Sequence, residues 1–100
     1  MDVLFDRVAG LDIGKKIVVV CVRTPGERGR RRSEVRTFRT MTRHINVLGD
    51  WLIEEGVQVA AMESTATYWK PVFYGLEDRL ECWLLNAAHM KAVPGRKTGA

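Results

Sequence analysis

Two acidic side chains stand at strand-like positions where a β-sheet ordinarily carries apolar residues. Asp12 lies in "VAGLDIGKK" (residues 8–16), directly ahead of the apolar run "IVVVCV". Glu63 closes the apolar stretch "VQVAAME" at residues 57–63. An unpaired buried carboxylate is costly, so such a group is usually neutralised, paired or bound to a metal. The two acids are therefore the first candidates for chemistry.

Asp12 and Glu63 come close together if their two strands pair in parallel. Glu63 falls at the carboxyl end of its strand, which is the usual ligand side of an open α/β sheet. Neighbouring carboxylates repel each other, and a divalent cation removes that repulsion. Hard oxygen ligands suit Mg²⁺ or Mn²⁺, which complete their shells with water or phosphate oxygens, as in metal-assisted phosphodiester chemistry. The plainer alternatives are that Asp12 is a turn or cap acid and that Glu63 caps the following helix.

The elements that must position these acids follow the order βββαβαβ. This order predicts an α/β fold with a mixed sheet and helices packed on it. The second strand is apolar on both faces and is expected to be interior, whereas the third alternates weakly and suits a sheet edge. The predicted strands cover 7–13, 17–23, 34–40, 57–63 and 81–86, and the predicted helices cover 41–55 and 68–80.

The ends of the two predicted helices carry the usual signals. Thr40 or Thr42 is placed to cap the first helix, and Gly56 is placed to end it. The second helix follows "STAT", where Thr65 or Thr67 can act as its cap. Its apolar residues recur at the i, i+3, i+4, i+7 spacing, which predicts one face packed on the sheet.

The positive charge of the chain is concentrated in one segment. Residues 23–39, "RTPGERGRRRSEVRTFR", hold seven Arg and two Glu within a chain of net charge +4. Proline and glycine in this segment predict a turn. It is either a solvated hairpin tip or a nucleic-acid contact, because clustered Arg side chains neutralise phosphates. The candidate phosphate-binding residues are Arg28, Arg30, Arg31 and Arg32.

Composition limits the class of protein. One hundred residues with 46% hydrophobic content predict one folded domain. No apolar run approaches the roughly 20 residues of a membrane span, and the N-terminus lacks the basic start of a signal peptide. A cytoplasmic protein with no membrane association is expected. Cys21 and Cys82 fall in apolar runs and are predicted to be reduced core residues.

Three segments resemble the N-terminal part of the DEDD transposases of the IS-one-ten insertion-sequence family. They are "GLDIGKKIVVVCV", "MESTATYWKPVFYGLE" and "LLNAAHMKAVPGRKT", in family order. The resemblance implies a RuvC-like domain of the ribonuclease H fold, with Asp12 and Glu63 as its first two catalytic, metal-binding acids. It also implies DNA transposition with Mg²⁺ (or Mn²⁺), a structured guide RNA and a homo-oligomer. Arg96 and Lys97 are expected near the substrate phosphate, and His89 could contact nucleic acid or stabilise the tail.

The sequence departs from the family pattern at the third acid. In the family an Asp follows the Lys-Thr pair, whereas here Gly99 follows Thr98. Residues 1–100 are thus expected to be a partial RuvC-like transposase domain, incomplete at the C-terminus and with little activity alone. One alternative is a non-catalytic nucleic-acid-binding or assembly fragment. Another is a phosphotransferase of the actin and sugar-kinase type, which "GLDIGKK" also resembles, although no second phosphate motif is found.

Overall fold

The computed structural model describes residues 5–85, which form one five-stranded sheet and two α-helices. The order βββαβαβ predicted from the sequence is confirmed. The strands are β1 (Val8–Ile13), β2 (Ile17–Pro25), β3 (Arg31–Arg39), β4 (Val59–Ser64) and β5 (Glu81–Leu84), and the helices are α1 (Thr42–Glu54) and α2 (Trp69–Leu76).

The sheet is mixed, with strand order β3-β2-β1-β4-β5. β1 pairs antiparallel with β2, and β2 pairs antiparallel with β3, because tight turns join these three strands. β4 pairs parallel with both β1 and β5, since a helix separates each successive strand after β3. The predictions that β2 is interior and that β3 lies at an edge are both confirmed.

The core lies on one face of the sheet, which we call the helix face. Alternate residues of each strand point to this face, as the period of two requires, and they pack against both helices. Its largest fully buried side chains come from β1, β2, β4 and both helices: Ile13, Leu48, Leu52, Met62, Leu76, Val18, Val20 and Val72. The opposite side, the open face, carries no α-helix within residues 5–85, and most side chains there are at least partly accessible, although Val59 is only 3% exposed.

α1 ends as the sequence predicts but begins differently. Gly56 has a φ of 71°, a left-handed conformation that glycine adopts without strain. Its N–H donates to the Ile53 carbonyl and the Val57 N–H donates to the Leu52 carbonyl, which together form a Schellman motif. At the other end the N-cap is Met41, and no side chain caps the helix.

The predicted threonine caps are therefore wrong. The Thr40 hydroxyl instead donates to the Lys15 carbonyl at 3.1 Å, so it ties the start of α1 to the turn between β1 and β2. α2 begins after Tyr68 without a side-chain cap. It also stops at Leu76 rather than at residue 80, because residues 77–80 form a turn.

The two cysteines are free thiols, as expected, but neither is fully buried. Cys21 lies on the open face of β2, and Cys82 packs at the margin of the core. No helix within residues 5–85 combines the length and the apolar character needed to cross a membrane.

Candidate metal centre and nucleic-acid interface

Asp12 and Glu63 lie directly opposite each other in the parallel ladder of β1 and β4. Neighbouring strands are about 4.8 Å apart, so the two carboxylates stand side by side. Each comes within a residue of the end of its strand, and both lie on the open face. The register of β1 and β4 therefore brings the two acids together at the carboxyl ends of parallel strands, as predicted.

The local sequence explains why Asp12 stands where it does. Leu11 and Ile13 are buried on the helix face, and the alternation of the strand then turns Asp12 to the other side. The N–H of Gly14 donates to the Ile17 carbonyl at 2.8 Å and closes the turn into β2. Asp12 is therefore held in place by a strand whose residues on either side of it, Leu11 and Ile13, are buried in the core.

Both carboxylates are exposed. This corrects the expectation that they are buried and must be neutralised, paired or bound to a metal to avoid an energetic cost. The strand positions are tolerable for acids because the open face is in contact with solvent. The acids border a depression of about 540 Å³ on this face, lined also by Val19, Ser64 and Leu85. Within residues 5–85, no group of three or more His, Cys, Asp or Glu side chains is arranged to hold a metal ion.

The donor set fits a hard divalent cation that is only partly held by protein. Mg²⁺ usually keeps several waters and is bound by one or two carboxylates together with substrate phosphates. Asp12 and Glu63 supply two such carboxylates on an accessible surface. The hydroxyl of Ser64 points back to its own loop, where it donates to the Ala66 carbonyl at 3.5 Å.

The arginine-rich segment forms the tip of the β2–β3 hairpin, at the opposite end of the sheet from the acids. Asp12 pairs with Val19, and β2 then runs away from the acids to Pro25, which pairs with Arg31. Six residues of strand span about 20 Å at about 3.3 Å per residue. A short 3-10 turn over Glu27–Gly29 closes the tip.

The four arginines selected from the sequence are not equivalent. Arg32 lies on the helix face, 3.6 Å from a carboxylate oxygen of Glu34 and 3.7 Å from one of Glu55. Arg28, Arg30 and Arg31 are exposed and make no ion pair with any other residue in the range 5–85. Arg32 remains a predicted phosphate contact, since its side chain is 60% exposed, but two carboxylates of the protein already lie near its guanidinium.

Sequence reasoning overlooked the basic residues at the acidic end. Lys15 and Lys16 occupy the turn that follows β1, and Arg39 ends β3 beside Ile17. All three are exposed. The signal was available, because a turn after a strand must lie at the carboxyl end of that strand. The other predicted contacts, Arg96, Lys97 and His89, lie outside the described residues.

The fold resembles that of several solved structures at low sequence identity. Thermus thermophilus RuvC superposes with a TM-score of 0.54 and 13% identity, over 80% of this chain and 63% of that one. The Fowlpox virus resolvase, solved with its substrate Holliday junction DNA, gives a TM-score of 0.56 and 10% identity, over 80% of this chain and 60% of that one. An Aquifex aeolicus member of the Ppx/GppA family gives a TM-score of 0.51 and 15% identity, over 86% of this chain and 37% of that one.

These likenesses define the fold as RuvC-like, that is, of the ribonuclease H type. The chain spans between 37% and 63% of the length of these three neighbours. No family model and no curated protein sequence matches it. Because a resolvase and a Ppx/GppA phosphatase share the fold, the fold alone does not select the substrate.

Proposed function

We propose that this chain supplies the first two acids of a metal-dependent DEDD transposase domain of the IS-one-ten type, which cuts and rejoins DNA. One observation carries the proposal: Asp12 and Glu63 stand side by side at the carboxyl ends of β1 and β4, on an open face. The resemblance of the surrounding motifs supports the same assignment, and the RuvC-like fold agrees with it.

Asp12 and Glu63 would hold the metal, which we take to be Mg²⁺ or Mn²⁺. When bound, such an ion stabilises the charge that develops on a phosphodiester during displacement. The two side chains would orient that ion, because the strands that carry them fix their positions. Lys15 and Arg39 lie at the same end of the sheet and can balance the charge of a bound phosphate.

DNA is the proposed partner, with the hairpin tip contacting its backbone away from the acids. Exposed Arg28, Arg30 and Arg31 provide bidentate phosphate donors there. The family resemblance adds Arg96 and Lys97 near the reacting phosphate, a structured guide RNA and a homo-oligomer. It also implies that this chain alone has little activity, since Gly99 stands where the family has an acid.

Titration calorimetry with Mn²⁺ tests the metal site directly. The folded wild-type chain should give saturable binding, and both Asp12→Asn and Glu63→Gln should lose it, because each variant removes one of the two charged ligands. Asp78→Asn and Glu54→Gln make the same chemical changes at exposed positions outside the site and should bind like the wild type. A folded wild-type chain that does not bind Mn²⁺, or variants that bind it equally well, would contradict the proposal.

A non-catalytic nucleic-acid-binding fragment is the second candidate. It is favoured by the lack of a third acidic ligand near the pair within residues 5–85. This function predicts DNA binding that is unchanged by EDTA and by Asp12→Asn. The transposase assignment predicts instead that divalent metal strengthens binding and that Asp12→Asn abolishes the increase.

A further inference from the structure

We infer that the DNA held at the acids is a duplex that continues for about six base pairs to the arginine tip, so that both ends of the sheet bind one molecule. The inference rests on the proposed function and specifies its substrate. It follows from the separation of the two charged regions, the rigidity of the hairpin between them and the neutral surface that lies between them.

The β2–β3 hairpin fixes the distance between the acids and the tip. Nine residue pairs, from Ile17↔Arg39 to Pro25↔Arg31, join the two strands without a break. β1 covers β2 only as far as Arg23, so the last part of the hairpin projects beyond the centre of the sheet. The separation of about 20 Å corresponds to about six base pairs at 3.4 Å per pair.

The open face between these regions is neutral. Its middle is formed by Gly10, Val19, Cys21, Val35 and Ala61. A site for single-stranded nucleic acid needs a positive groove along the backbone and aromatic platforms for the bases. Among the described residues, the middle of this face has no positively charged groove. It does border an aromatic side chain, because Trp83 pairs with Ala61, is 41% exposed and contacts the Phe5 ring edge-on. A single strand would therefore find a stacking surface there but no positive path for its backbone. A duplex needs no support there, because it is stiff over lengths far greater than six base pairs.

The tip has the charge to act as a second anchor. Arg28, Arg30 and Arg31 at the tip make no ion pair with any residue in the described part of the chain, and neither does Arg23, which is exposed on the same hairpin. Glu27 is the one acid within the 3-10 turn of the tip. The excess of positive charge at the tip is therefore not neutralised by ion pairs within the described part of the protein.

The test uses fluorescent DNA stems of 4, 8 and 12 base pairs, each closed by an ethylene-glycol linker so that the short stems stay paired. Binding to the full chain is measured by anisotropy at several NaCl concentrations and a fixed Mn²⁺ concentration. The salt slope should steepen by about 2 to 3 between 4 and 8 base pairs, since each phosphate contact contributes about 0.9. It should change little between 8 and 12.

A variant with Arg28→Ser, Arg30→Ser and Arg31→Ser should lose this increase on the longer stems while keeping the wild-type slope on the 4-base-pair stem. Arg43→Ser combined with Lys70→Ser removes exposed cations from the helices and should leave every slope unchanged. Single strands with equal numbers of phosphates should show no step with length.

Each of the following results would overturn the inference. A slope that does not depend on stem length, or that is insensitive to the triple substitution, would leave the proposed function in place but remove the two-point duplex. Equal binding of single strands would do the same. If the folded chain binds no DNA of any length, both the inference and the proposed function fail.

Discussion

Without metal, Asp12→Asn should be more stable to unfolding than the wild type. With metal bound, it should be less stable than the wild type. The side chain is exposed and of nearly the same size as its replacement, so the substitution changes charge rather than packing. It removes the repulsion between Asp12 and Glu63, which pair directly across adjacent strands. The same substitution removes half of the charge that attracts a cation.

The expected magnitudes follow from the register. Two unit charges about 5 Å apart in water repel by about 0.8 kcal/mol, which is an upper limit because salt screens exposed groups. The variant should therefore gain a few tenths of a kcal/mol in EDTA. Wild-type protein at a Mn²⁺ concentration of 100 times Kd should gain about 2.7 kcal/mol, which the variant does not receive. The order of stability inverts when metal is added.

Urea unfolding followed by circular dichroism, in EDTA and in Mn²⁺, measures both differences. Glu63→Gln should show the same inversion, whereas Asp78→Asn should respond to metal as the wild type does. If Asp12→Asn is destabilised by more than about 1 kcal/mol in EDTA, Asp12 has a structural role that the geometry does not account for. If it retains the full metal response, Asp12 is not a ligand.

Three further predictions concern the fold. Gly75→Ala should lower the free energy of unfolding, measured in urea, by up to about 2 kcal/mol. An added Cβ would lie 2.9 Å from Ile45 Cγ2, and this overpacking outweighs the gain of about 1 kcal/mol in helix propensity. A variant more stable than the wild type would refute this. Met62→Ala should cost about 2 to 5 kcal/mol because the side chain is fully buried, whereas Met62→Leu should cost less than about 1.5. Burial, with Glu77 and Glu81 nearby, raises the pKa of Cys82 to about 11, so the thiol stays protonated at pH 8. Cys82 should therefore react with iodoacetamide more slowly in the folded chain than in urea. Equal reaction rates in the folded and the urea-unfolded chain would contradict this prediction.

The strand and helix order could be predicted from the sequence because the apolar patterning is unambiguous. Leu11, Ile13, Val18 and Val20 alternate on one side of two strands, and all four are buried. With such a pattern, the two strands can pair in one register only if all four side chains are to enter the same core. A shift of one residue would turn the apolar side chains of a strand to the other face of the sheet. The same alternation placed Asp12 on the other side of the sheet.

The ends of the elements could not be predicted as well, because they depend on tertiary contacts. Arg36 reads as a polar edge residue, yet its guanidinium lies 4.2 Å from the Trp51 ring centroid on α1 and helps to cover the core. Arg79 was expected to lie within α2. It instead pairs with Asp50 of α1 at 2.6 Å, in the turn that follows α2. Neither contact is visible in local propensity.

The position of the arginine tip shows how one strand length decides a functional geometry. With β2 ending at residue 23 and β3 starting at residue 34, the ten residues between them could fold back toward Asp12. Pairing through Pro25↔Arg31 excludes that path, because the antiparallel hairpin carries its turn away from the end where β2 begins. The cations at the acidic end of the sheet are then Lys15 and Lys16 in the β1–β2 turn and Arg39 at the end of β3, and not the arginines of the hairpin tip. Any phosphate bound beside Asp12 must therefore be neutralised locally, and the tip can act only on a nucleic acid long enough to reach it.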